Sequence, residues 1–143
     1  ELEPYLRSLG ATSILPREEL AQKGAPMQTE RFAGGVDTVG GATLANLYTQ
    51  IAYGGAIACC GMAGGHELAI TVWPLILRNV SLLGVSSLRT PKPERIEAWK
   101  RLTRDIDFNA LAGISRTEPL ARIFELSEEI MAGHLRGRTV IQL

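Results

Sequence analysis

The chain has 143 residues, 45% of them hydrophobic and 21% charged, and its fifteen basic residues balance fifteen acidic ones. One domain of ordinary globular composition is expected, and the balanced, interspersed charge gives no net field to draw in nucleic acid or an anionic membrane surface. No apolar run reaches the roughly 18 residues of a membrane span, and "ELEPYLRSLG" lacks the basic start and apolar core of a signal peptide, so the expectation is a soluble, cytoplasmic protein with no nucleic acid or membrane partner.

The chain opens without Met and directly into a helical pattern, with Leu2, Tyr5, Leu6 and Leu9 on one face and Gly10 in the C-cap role. It reads as the middle of something. Thr12 to Leu15 is expected to be a short strand, followed by a loop or short helix around Pro16, Gly24 and Pro26, and then a second strand in the centre of "GGVDTVGG", Gly34 to Gly41. Leu44, Leu47, Tyr48 and Ile51 recur at i, i+3, i+4 and i+7, one apolar helix face that Gly54 would stop. "AIACC", Ala56 to Cys60, is continuously apolar, as a strand covered on both faces of a parallel sheet would be. A short Pro74 helix, about Thr71 to Arg78, leads to a strand over Val80 to Ser87. Pro91 and Pro93 open a helix bearing Ile96, Trp99 and Leu102, and Gly113 to Glu118 is a short strand. A last helix starts at Thr117 and Pro119, carries Leu120, Ile123, Phe124 and Ile130, and ends at Gly133 before a strand over Arg138 to Leu143. Strands alternating with helices imply an α/β fold with a largely parallel sheet and no internal linker long enough to separate independent domains.

Cys59 and Cys60 are neighbours on a strand, where successive side chains point to opposite faces, so each reads as a small packed residue rather than half of a pair. There is no C-x-x-C, and His66 and His134 stand apart, so no metal site is expected. In open α/β sheets ligands bind beyond the carboxyl ends of the strands. Three such ends here are small or polar: "TVGG" (Thr38 to Gly41), "CGMAGG" (Cys60 to Gly65) and "VSS" (Val85 to Ser87). These glycines either make tight turns or clear the way for a ligand. The chain contains neither G-x-G-x-x-G nor G-x-x-x-x-G-K-[ST], so a phosphate-cradling turn is missing.

"YLRSLGATSILPREEL", "GGVDTVGG", "YGGAIACCGMAGG", "WPLILRNVSLLGVSS" and "GRTVIQL" resemble, in order and spacing, the C-terminal half of zinc-independent medium-chain dehydrogenases/reductases of the acrylyl-CoA reductase and quinone oxidoreductase type. The resemblance covers essentially the whole chain. It implies a partial Rossmann-like doubly wound parallel sheet lacking the first strands and the glycine-rich phosphate turn. Residues 1–111 would be the C-terminal part of an NADP-binding Rossmann domain, and 112–143 a terminal segment returning to the parent's catalytic domain. The implied cofactor is NADPH, with Arg17 near its adenosine end, Met62 against the nicotinamide, and Ile76, Ser87 and Gly133 at further lining positions. The glycines around Met62 would let that loop lie against the ring.

The implied reaction is hydride transfer to an α,β-unsaturated thioester such as acrylyl-CoA, or to a quinone-like acceptor. No catalytic residue is assigned, because the substrate-touching groups of that family lie mainly in the other domain. Arg138 is an edge cation or a contact for substrate phosphate. Relatives pair through the last Rossmann strand, so a homodimer through Val80 to Ser87 is implied. A segment beginning after the second strand of the usual 3-2-1-4-5-6 order would leave a hole in the sheet, and the isolated peptide is expected to fold poorly or aggregate. Two other readings stand beside this one: a methyltransferase-like fold using S-adenosylmethionine, and a truncated, non-catalytic module that only dimerises or binds nucleotide.

Overall fold

A computed structural model describes residues 2–143, which form two units, one running to Thr90 and the other from Pro91 to Leu143. The first unit holds α1 (Glu3–Ser8), α2 (Arg17–Ala21), β1 (Phe32–Asp37), α3 (Gly41–Tyr48), β2 (Ile51–Cys59), α4 (Trp73–Arg78) and β3 (Ser81–Gly84). Its three strands are parallel in the order β1-β2-β3, with Gly35 opposite Ile57 and Ile57 opposite Leu82. The apolar run of β2 is the central strand, and Ile57 at its middle is fully buried. Leu44 and Tyr48 from α3 pack there with Ile51, Ile57 and Val80 to make the core. A parallel neighbour requires a crossover, and α3 supplies the one between β1 and β2.

Several expectations change. Thr12 to Leu15 forms no ladder: the four residues run into Pro16, which cannot donate, and no described strand pairs with them. The three strands that do form are immediate neighbours, so the sheet has no hole in it. Ile51 belongs to β2 rather than to the helix face, because α3 ends at Tyr48 and the Gln50 carbonyl accepts the amides of Arg31 and Phe32, turning the chain straight into the sheet. Gly54 therefore stops no helix. It sits within β2 at φ 73°, where the register shifts between the Phe32–Ile51 and Gly34–Ala56 pairs.

Polar side chains tie the helices to this sheet. Asn46 is buried, and its amide donates to the carbonyls of Gln22 (2.8 Å) and Glu19 (3.3 Å) while its oxygen accepts from Gln28 (2.6 Å) and Gln50 (3.0 Å). Arg78 donates to the carbonyls of Gln28, Thr49 and Ile51 and pairs with Glu30 at 3.1 Å, fastening the end of α4 to the start of β2. Every buried side-chain polar atom among the described residues has a partner, as a stable interior requires.

The second unit holds α5 (Lys92–Asp105), α6 (Phe108–Gly113), β4 (Ser115–Pro119), a 3-10 turn (Leu120–Arg122), α7 (Ile123–Met131) and β5 (Arg138–Gln142). Here β4 and β5 form a separate two-stranded parallel sheet. The short helix α6 was not expected. Asp107 creates it by accepting the amides of Asn109 and Ala110, an N-cap that the sequence signals only weakly.

Trp99, Phe124, Ile130 and Met131 are all exposed, as are Tyr53, Ile76 and Leu83 in the first unit. The accessible surface is 10902 Å² for 15.5 kDa. A compact monomer of that mass exposes roughly 7,200 Å², and even two separate globules of the units' sizes would expose only about 8,700 Å². Large apolar side chains are therefore exposed within each unit.

Candidate functional site

The strand ends carry the site. β1 runs into Asp37, which is only 3% exposed, and its carboxylate accepts the amides of Val39 (3.3 Å) and Gly40 (2.9 Å). This fixes the turn Thr38 to Gly41, from which α3 departs. Beyond β2, the Cys60 amide donates to the Asp37 carbonyl (2.9 Å), Ala63 donates to Thr38 (3.3 Å) and Gly64 donates to Val39 (2.7 Å). Gly40 and Gly65 form a parallel bridge.

Two strand-end turns are thus laid backbone against backbone. A Cβ on Gly40, whose φ is 70°, would collide with the Gly65 carbonyl, and one on Gly61 would lie 2.5 Å from the Thr38 oxygen. The glycines make room first of all for the neighbouring turn of the same chain.

A cleft of about 270 Å³ opens at the carboxyl ends of the three strands, lined among others by Gly40 from β1's turn, Cys59 and Met62 from β2's end, and Leu82 and Gly84 from β3. Met62 is 68% exposed. A second cleft of about 660 Å³ shares Gly41, Gly65, His66 and Glu67 with the first and is floored by Ala42 and Ala45 of α3. Its lining is mostly apolar, with Lys23 as a cation.

Of the five expected cofactor residues, Met62 alone lines either of these two clefts. Arg17 is the first residue of α2 and exposed, and its side chain makes no hydrogen bond or ion pair among the described residues. Ile76 is 72% exposed on α4, and Ser87 lies in the exposed turn after β3. Gly133 is in the second unit, where at φ 74° it follows the last turn of α7 and donates to the Ile130 carbonyl. Sequence reasoning singled out the glycines of "VDTVGG" and passed over its acid. An Asp ending a strand two and three residues before the amides it accepts was the available signal for Asp37.

Burial pushes the Cys59 thiol above its ordinary value, and the neighbouring Asp37 and Cys60 add to that shift. The folded chain then holds the proton more tightly than the unfolded chain, so this contribution to stability is complete below pH 9.0 and is lost as pH rises above it. Urea unfolding at a series of pH values should show stability falling faster above pH 9.0 in the wild type than in Cys59→Ala; identical slopes would remove Cys59 from the titration. Among the described residues no group of three or more His, Cys, Asp or Glu is placed to hold a metal ion. Likewise none of the described helices is long and apolar enough to cross a membrane.

A parallel sheet with helical crossovers and its cleft at the strands' carboxyl ends gives the first unit an open α/β architecture. Residues 3–104 match the family described as zinc-binding dehydrogenase, and the chain belongs to that family. It is 41% identical to the probable acrylyl-CoA reductase AcuI of Escherichia coli over 97% of the chain and 43% of that protein. It is 35% identical to the putative quinone oxidoreductase YhfP of Bacillus subtilis over 100% of the chain and 44% of that protein. The yhdH oxidoreductase of Salmonella enterica, solved in complex with NADP, superposes with a TM-score of 0.95 at 42% identity, over 99% of this chain and 44% of that one. The chain therefore spans less than half the length of these relatives. Family membership removes the S-adenosylmethionine reading.

Proposed function

We propose that this chain corresponds to the C-terminal part of an NADPH-dependent reductase that transfers hydride to an α,β-unsaturated thioester such as acrylyl-CoA, with a quinone-like compound as the other acceptor class. The observation that carries the reading is the cleft at the three parallel strand ends, walled by glycines and presenting Met62. At the end of β3, Gly84 leaves open space in that cleft for a flat ring, and the Salmonella relative was solved with NADP.

NADPH, when bound, supplies the hydride that reduces the β carbon of the acceptor, and a proton then completes the α carbon. The chain's own part is positioning. Met62 packs against the nicotinamide, and family resemblance alone offers Arg17 for the adenosine end and Ile76, Ser87 and Gly133 as further cofactor contacts. Residues 1–111 continue a Rossmann domain, and residues 112–143 return to a catalytic domain that carries most substrate contacts.

The protein acts in the cytoplasm as a homodimer, without nucleic acid or membrane partners. The dimer forms through the strand around Val80 to Ser87. In support, β3 is an edge strand, with Leu83 exposed on it and Val85 exposed just beyond its end. Val80 itself faces the core.

The test is NADPH consumption by the full-length protein with acrylyl-CoA and with a quinone. Acrylyl-CoA-dependent consumption is expected. A folded protein that oxidises NADPH with neither acceptor overturns the reductase and leaves the non-catalytic module in its place.

A further inference from the structure

We infer that Asp37 is a positioning residue for the cofactor: its carboxylate holds the Thr38 to Gly41 turn, and that turn in turn holds the loop that carries Met62. The inference rests on the function proposed above but on separate observations. Asp37 is buried at the end of β1 and touches neither cleft. Both of its oxygens are engaged by the turn that follows, Oδ1 by the Val39 amide and Oδ2 by the Gly40 amide. The carbonyls of that turn then face outward, where Thr38 accepts Ala63 and Val39 accepts Gly64, the two residues directly after Met62. Asp37's own carbonyl accepts Cys60, two residues before it. The Met62 loop is thereby hydrogen-bonded on both sides to the turn that Asp37 organises.

A buried carboxylate is costly unless its lone pairs are used, and here the two amides and the tight turn satisfy it. An apolar residue of similar size would fill the space and leave both amides without an acceptor. The turn would lose its shape before the sheet lost its pairing, because the β1–β2 ladder does not depend on that side chain.

The experiment is the full-length protein carrying Asp37→Asn, which keeps one acceptor oxygen, and Asp37→Ala, which keeps none. KM for NADPH should rise about tenfold in Asp37→Ala and less in Asp37→Asn. KM for the acceptor and kcat should stay within about twofold. A residue that only supports folding would lower kcat through the loss of folded protein and leave KM for NADPH unchanged. That result would overturn the inference.

Backbone amide exchange supplies a readout independent of turnover. Ala63 and Gly64 should exchange faster in Asp37→Asn while the amides of β2 keep their protection, and uniform loss of protection across the unit would also overturn the inference. If the wild-type enzyme shows no turnover at all, the proposed reaction fails, and the exchange pattern alone still decides whether Asp37 holds the Met62 loop. Should Asp37→Ala not fold, Asp37→Asn carries both measurements.

Discussion

Gly40→Ala should disable the strand-end site and destabilise the first unit by about 3 kcal/mol or more, combining backbone strain with a steric clash. The backbone at Gly40 has φ 70° and ψ −159°, a region that side chains other than hydrogen rarely enter. The added Cβ would fall against the Gly65 carbonyl, and Met62 Cα lies only 3.3 Å away on the same side. Relief requires the two turns to part. In the full-length protein the expected result is a lower urea midpoint and a KM for NADPH raised by more than about tenfold. Gly113→Ala is the control: a Cβ there meets nothing within 4 Å, and the change should be neutral or stabilising by up to about 1 kcal/mol. Equal behaviour of the two variants would refute the turn-on-turn account of the glycines.

Tyr48→Ala should cost about 3–5 kcal/mol, the range for emptying a large buried aromatic site. Tyr48 is completely buried on α3 against Ile51 and Ile57, and its hydroxyl does separate work. It accepts the Leu75 amide at 2.9 Å and donates to the Thr71 carbonyl at 3.2 Å, anchoring the segment that leads into α4. Tyr48→Phe keeps the ring and orphans those two groups, so it should cost only about 1–2 kcal/mol. Urea unfolding of both variants separates packing from anchoring. A Phe variant as damaged as the Ala variant would mean that the hydroxyl, rather than the ring, holds α3 to the rest of the unit.

The same residues show what the sequence could reveal. The second half of β2 was legible from the apolar run that starts at Ala56, although Ile57 is the one residue of that run that is buried and Cys60, expected within the strand, is exposed beyond its end. Tyr48 and Leu44 were legible as core because helical spacing put them on one face. Ile51 fits that spacing too and yet begins a strand; the choice is made by Gln50, whose carbonyl accepts two amides from the approach to β1, a contact with no local signature. Thr12 to Leu15 has the composition of a strand but no described partner to pair with, and strand character depends on a neighbour.

The candidate site was half legible. Strand-end glycines pointed to the carboxyl edge of the sheet, where the cleft opens, while what they accommodate is visible only once the Thr38 and Met62 turns are seen to interlock. Asp37 escaped notice because a single acid in a glycine-rich stretch looks like an ordinary turn residue. Met62 was expected from family resemblance, and of that set it alone lines either of the two strand-end clefts described.

The most direct measurement of the central proposal is to supply the full-length protein with acrylyl-CoA and NADPH carrying deuterium in its transferable C4 position, and to locate the label in the product by mass spectrometry and NMR. A hydride-transferring reductase puts the deuterium on the β carbon of propionyl-CoA, with a solvent proton at the α carbon. Product formed with no deuterium on the β carbon, or NADPH left intact by a folded enzyme, would contradict it.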